Sequence, residues 1–172
     1  MPWNVMEALP VTDPSQPATK GWGEGVVILG AHGGAGATTL THWLPSPSFD
    51  LGPITGPDGT VRKVTSHGRP IIVTTRSTVR SAHAASTAIN GLRDQGLRVA
   101  CLVIVADGAG SEPREAKVRF RMLEGHVGGT ARLSFLPTLR GSEEVPSEEE
   151  LPRKMVSELT RIKELAQKDG TP

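Results

Sequence analysis

A run of small residues between positions 30 and 39, GAHGGAGATT, is the part of the chain whose composition points most directly to chemistry. It follows an apolar run, GVVIL, and precedes residues that favour a helix. A turn of small residues in that place lets successive backbone N–H groups converge on an anion, and the start of a helix adds a favourable partial charge. The segment therefore predicts a phosphate-binding loop. Its expected nucleotide-binding residues are His32, Gly33, Gly34, Ala35, Gly36, Ala37, Thr38 and Thr39.

The register of this loop can be set against the phosphate-loop pattern G-x-x-x-x-G-K-[ST]. With Gly36 as the second glycine, Ala37 stands at the lysine and Thr38 at the hydroxyl that binds Mg²⁺. The alternative stays open that the glycines serve only the close packing of a strand on a helix.

A second acidic residue, Asp107, follows the most apolar run of the chain, VACLVIV at 99–105. At the end of a strand it is a candidate contact for a nucleotide base, although an Asp-Gly pair is more commonly a turn. The glycines at 30, 33 and 36 also satisfy the G-x-x-G-x-x-G spacing of a dinucleotide fingerprint, and Asp50 lies twenty residues beyond Gly30. We rank that function third, because no strand is expected to lead into Asp50 and the chain has no tyrosine for reductase chemistry.

The elements that would hold these residues in place follow from the apolar periodicity. It predicts strands at 25–30, 71–75, 99–105 and 132–136, and helices at 38–44, 77–95 with Ser77 as N-cap, 111–123 and 147–168. Residues 45–70 are dominated by turn formers and are expected to be irregular, with at most a short hairpin between Ile54 and Val61. Strands that alternate with helices predict an α/β fold with a doubly wound, mostly parallel sheet of about four to six strands. Its ligand site should lie at the carboxyl ends of the strands.

Composition divides the chain of 172 residues into three parts. Residues 1–23 are rich in proline, lack an apolar period and are predicted to be a disordered tail. Residues 24–140 are predicted to form the phosphate-loop domain, and residues 141–172 an acidic linker followed by a C-terminal amphipathic helix.

Composition also disfavours several functional classes. Six aromatic residues are too few for a protein that stacks on single-stranded nucleic acid, and the single Cys101 leaves no disulfide framework and no Cys-rich zinc site. The five histidines show no H-E-x-x-H spacing. No apolar run approaches the length of a membrane span, and no basic region leads into an apolar one at the N-terminus. We therefore expect no membrane span and a cytoplasmic location.

The net charge of +1 is unevenly distributed along the chain. Residues 61–140 carry +8, whereas residues 1–60 carry −4 and residues 141–172 carry −3. Within the basic part, Arg114, Lys117 and Arg121 recur at helical spacing and predict a surface for nonspecific DNA or an acidic protein. The alternative is the solvated face of an amphipathic helix.

The loop GAHGGAGATTL resembles the GGxGKTT loop of ParA/MinD-like (SIMIBI-type) ATPases. It is most similar to the GGxGATT variant of their pilus-assembly relatives, and the chain also resembles short actinobacterial proteins of uncharacterised activity. The order of elements is similar from about residue 25 to 140, although only the loop is specific. The resemblance implies a P-loop fold that uses ATP and Mg²⁺. It also implies that Asp50, in the sequence FDLGP, is the remnant of the family's magnesium-binding aspartate, so that Thr38 and Asp50 form the predicted metal site, although Asp50 could instead cap a turn in a loop. Members of this family have lysines where this chain has His32 and Ala37.

These departures remove both cationic contacts to the phosphates, so efficient hydrolysis is not expected. The preferred interpretation is a degenerate P-loop nucleotide-binding protein or pseudo-ATPase that acts through contacts with a protein partner. An alternative is an active ATPase of the ParA/MinD type with an atypical loop, aided by a partner copy in a homodimer.

Overall fold

The computed structural model describes residues 25–169. The predicted tail at 1–23 lies outside these residues. The strands are β1 Val26–Gly30, β2 Ser48–Pro53, β3 Ile71–Arg76, β4 Val99–Val105 and β5 Thr130–Leu133. The α-helices are α1 Ala37–Trp43, α2 Val79–Asp94, α3 Arg114–Leu123, the single turn α4 Thr138–Gly141 and α5 Arg153–Asp169.

The five strands form one sheet in the order β2-β1-β3-β4-β5, and every pairing is parallel. Parallel strands buried on both faces read as continuous apolar runs, which is how β1, β3 and β4 were recognisable from the sequence. Helices cover both faces of this sheet, so the predicted α/β doubly wound fold is confirmed.

The two faces of the sheet have separate cores. Helices α2 and α3 cover one face with alanines, leucines and Phe120, which pack on Val27, Leu29 and Val73. Helices α1 and α5 cover the other face and pack on alternate residues of the same strands, such as Ile28 and Ile72. The C-terminal amphipathic helix therefore contributes its apolar stripe to the core beside β4 and β5.

Strand β2 corrects the sequence prediction, which placed residues 45–70 in an irregular connection. Phe49 and Leu51 are buried, while Asp50 between them is half-buried, so the segment alternates as an edge strand does. Gly52 and Pro53 are tolerated because the strand pairs on only one side. The predicted short hairpin at 54–61 is present, with an antiparallel bridge between Thr55 and Val61 and a hydrogen bond from the Gly56 amide to the Thr60 carbonyl oxygen at 2.9 Å.

Several element boundaries also differ from the sequence prediction. The N-cap of α2 is Thr78 rather than Ser77, because the Thr78 hydroxyl accepts a hydrogen bond from the Ser81 amide. Strand β5 begins at Thr130 and ends at Leu133, before the expected end at Leu136. Helices α3 and α5 begin at Arg114 and Arg153, after the expected starts at 111 and 147. None of these shifts changes the order of the elements.

Candidate functional site

The glycine-rich loop lies at the carboxyl edge of the sheet, where the strand order reverses. From β1 the chain passes to β2 on one side of β1 and then to β3 on its other side. In open α/β sheets, ligands bind in the crevice outside the carboxyl ends of the strands at such a reversal. Residues 31–36 leave β1 at this point and lead into α1.

The backbone of the loop needs glycine at two positions. Gly34 has φ +74° and Gly36 has φ +94°, a region that side-chain-bearing residues rarely adopt. A Cβ at Gly33 or Gly34 would meet nothing within 4 Å, so the outer side of the loop faces open space. Within residues 25–169, the amides of Gly33, Gly34 and Gly36 donate to no protein acceptor. The loop therefore presents open backbone donors to this space.

His32 holds the loop against the end of β3. Its Nδ1 lies 2.9 Å from the Gly33 carbonyl oxygen, and its Nε2 lies 3.3 Å from the Arg76 backbone nitrogen. These contacts assign Nδ1 as the donor and Nε2 as the acceptor, which is the neutral ring. In this arrangement His32 positions the loop and does not replace a missing lysine as a cation.

Thr38 and Asp50, the two residues predicted to bind Mg²⁺, are in direct contact. The Thr38 hydroxyl donates to Asp50 Oδ2 at 2.8 Å, and Asp50 Oδ1 accepts from the Gly52 amide at 2.9 Å. This contact follows from the pairing of β1 with β2, in which Ile28 is level with Asp50. Asp50 therefore both caps a turn, through the Gly52 amide, and contacts the glycine-rich loop, through Thr38.

The oxygen atoms of this pair suit a small hard cation. A hydroxyl and a carboxylate are ligands that Mg²⁺ uses when substrate phosphates and water complete its octahedron. Within residues 25–169, no group of three or more His, Cys, Asp or Glu side chains could hold a metal ion. An ion at Thr38 and Asp50 would therefore need phosphate oxygens or water as further ligands. Bound Mg²⁺ would neutralise phosphate charge there.

Arg76 is a residue at this site that the sequence analysis did not identify. It ends β3, and its guanidinium Nε donates to the Gly34 carbonyl oxygen at 3.0 Å. An arginine directly after five buried strand residues, in IIVTTR, is the signal that could have found it, because such a position faces the carboxyl edge of the sheet. Arg76, Thr38, Asp50 and the loop share one cleft of about 260 Å³.

Arg62 supports this cleft from the outer side of β2. Its guanidinium donates to the Leu51 and Pro53 carbonyl oxygens, the latter at 2.8 Å. Partial burial lowers the pKa of Arg62 from its usual 12.5, which still leaves the group charged at neutral pH. Arg62 thus holds the segment on which Asp50 stands.

Asp107 lies at the carboxyl end of β4 in a second, larger cleft of about 660 Å³. Its side chain is exposed, and its backbone amide donates to Ser77 Oγ at 3.0 Å. His32, Gly34, Thr39 and Arg76 line both clefts. The structure therefore places Asp107 beside the loop but apart from the Thr38–Asp50 pair.

Arg114, Lys117 and Arg121 of α3 are exposed, and so are two apolar neighbours, Val118 and Met122, whereas Arg119 is half-buried. The acidic run before α5 has partners: Glu150 forms a capping box with Ser147, and Lys163 pairs with Glu148 at 3.1 Å. Helix capping thus accounts for part of this run. Contact of α3 with DNA or an acidic protein stays a prediction.

Comparison of the chain with protein-family models, with curated proteins and with solved structures found no match. Across residues 25–169 no helix is both long enough and apolar enough to cross a membrane.

Proposed function

We propose that the chain binds ATP together with Mg²⁺ at the glycine-rich loop and acts as a nucleotide-binding protein with little or no hydrolysis. The observation that carries the proposal is the hydrogen bond of 2.8 Å between Thr38 and Asp50. A loop that serves only strand-helix packing has no need of a carboxylate held against its hydroxyl at the mouth of an open cleft. A bound nucleotide would pass its effect to a partner protein through the surrounding loops.

The side chains of the cleft suit binding better than catalysis. Asp50 is the one carboxylate lining the 260 Å³ cleft within residues 25–169, and both of its oxygens are engaged. As a ligand of Mg²⁺ it would leave no second carboxylate there to orient an attacking water. Ala37 provides no charge for the transition state.

The experiment is a thermal unfolding series with Mg-ATP, ATP with EDTA, and Mg²⁺ alone. At 1 mM ligand, a dissociation constant near 0.1 mM would stabilise the fold by about 1.4 kcal/mol, a shift of a few degrees. Thr38→Ala and Asp50→Asn should lose the part of the shift that depends on Mg²⁺. Thr41→Ala, on the same helix, and Asp58→Asn, in an exposed turn, are the matched controls. A wild type without any shift in Mg-ATP contradicts the proposal.

One observation favours a second candidate, a dinucleotide-binding protein. Strand β2 is parallel to β1 and leads into Asp50, where an acidic residue would bind a ribose hydroxyl. NADH binding that is independent of Mg²⁺ and lost in Asp50→Asn would establish this function. Phosphate release that Thr38→Ala abolishes would instead establish an active ATPase.

A further inference from the structure

The phosphate-loop pattern requires a cation close to the terminal phosphates, and the loop of this chain offers none. Ala37, at the position of the usual lysine, is only 7% exposed and packs with the core under α1. His32 is neutral in its observed hydrogen bonds. Unless another element supplies the charge, a triphosphate would meet only backbone amides and Mg²⁺.

Arg76 brings a cation to the loop from the neighbouring strand. Its Nε is bonded to the Gly34 carbonyl oxygen, and its backbone amide is bonded to His32. The guanidinium is therefore fixed against the middle of the loop. Its position depends on the pairing of β1 with β3, where Gly30 is level with Thr74, two residues before Arg76.

The charge of Arg76 has no opposite charge beside it within residues 25–169. The guanidinium forms no ion pair with a carboxylate of residues 25–169, and its two terminal nitrogens donate to no acceptor in that part of the chain. Arginine in this state can bind phosphate oxygens with two parallel hydrogen bonds. The side chain also lines the cleft that contains Thr38 and Asp50, where Mg²⁺ and phosphate would lie.

We propose that Arg76 is the phosphate-binding cation of this site, replacing from β3 the lysine that the loop lacks. This inference rests on the proposed nucleotide-binding function. It assigns the ligand a polyphosphate end that lies between the Thr38–Asp50 pair and the Arg76 guanidinium. Affinity should therefore depend on the number of phosphates and fall with added salt more steeply when Arg76 is present.

The test is calorimetric titration of the full chain with Mg-ATP, Mg-tripolyphosphate and adenosine. Arg76→Ala should weaken binding of the two polyphosphates about ten- to hundred-fold, the usual effect of losing a charge-assisted hydrogen bond, and leave adenosine unchanged. Arg93→Ala removes an exposed arginine at the opposite end of α2 and should leave all three affinities unchanged.

Two conservative variants separate charge from loop support. Arg76→Lys keeps the charge and should retain most of the polyphosphate affinity, whereas Arg76→Gln keeps a donor for Gly34 without the charge and should bind as weakly as Arg76→Ala. If Arg76→Gln binds like wild type, Arg76 only supports the loop and this inference is wrong, while the proposed function stands. A wild type that binds neither polyphosphate overturns both.

Discussion

At the scale of single residues, the hydroxyl of Thr38 is engaged before any ligand arrives. Binding of Mg²⁺ would break the hydrogen bond between Thr38 and Asp50, because the hydroxyl oxygen and the carboxylate would both contact the ion instead. Mg²⁺ also gives up its water reluctantly. The ion alone should therefore bind weakly, and phosphate oxygens are needed to complete its coordination.

Gly34 makes a specific prediction about the loop. Gly34→Val should remove the stabilisation by Mg-ATP, because the new side chain would project into the space where phosphate approaches the backbone. The positive φ adds a loss of stability of about 1–2 kcal/mol. Urea unfolding and thermal shift with Mg-ATP measure the two effects separately.

Gly96 provides the matched control for this substitution. It has nearly the same φ, +76°, and equally open surroundings, but it follows α2 at the other end of that helix from the loop. Gly96→Val should therefore cost a similar stability and keep the full response to Mg-ATP. An equal response in Gly34→Val would place the nucleotide elsewhere.

At the scale of elements, strand β2 determines the position of Asp50, and Arg62 binds the carboxyl end of β2. Arg62→Ala should lower the free energy of unfolding by about 1–3 kcal/mol through loss of its bonds to two carbonyl oxygens. It should also weaken Mg-ATP binding, because Asp50 loses its fixed backbone. Calorimetry at a temperature where the variant is folded measures this effect. Lys63→Ala, the exposed neighbour, should change neither quantity.

The contrast between β2 and the other strands shows what the sequence could predict. Strands β1, β3 and β4 are buried on both faces, so each begins with a run of at least three apolar residues that the sequence shows directly. An edge strand with one buried face shows only two apolar residues, Phe49 and Leu51, and the surrounding glycines and prolines outweigh that signal. The sequence predicts Thr38 and Asp50 as ligands of the same metal ion. Their contact, however, depends on the position of β2 in the sheet.

Arg76 was missed for a related reason. The phosphate-loop pattern places its cation within the loop and so does not point to a residue on another strand. Contacts between the ends of neighbouring strands depend on strand order, and local periodicity carries no information about that order. Once β3 is known to lie beside β1, the residue that ends β3 becomes the natural candidate.

At the scale of the whole molecule, Cys101 in the interior strand β4 links core packing to pH. Burial raises the pKa of the Cys101 thiol to about 12. The thiol of the unfolded chain ionises near the ordinary cysteine pKa of 9.0, so above that pH the unfolded state loses a proton that the folded state keeps. Stability from this group is complete below about pH 9 and falls as pH rises toward 12, by about 1.4 kcal/mol per pH unit.

Two measurements check this pH dependence. Between pH 9 and pH 11, the free energy of unfolding measured in urea should fall more steeply for wild type than for Cys101→Ala, which has no thiol to ionise. Reaction of the native thiol with an aromatic disulfide at pH 8 should be slow and should become rapid in urea. Equal slopes for the two proteins would show that the thiol ionises in the folded state.

The contacts of the loop span very different lengths of chain. Thr38 and Asp50 are 12 residues apart, whereas Arg76 and Gly34 are 42 residues apart. Closing the longer span costs about 1 kcal/mol more in chain entropy. The Thr38–Asp50 pair can therefore assemble from one local βαβ unit, while the cation arrives only when β3 has docked against β1. Affinity for a polyphosphate thus reports on whether the centre of the sheet has finished folding.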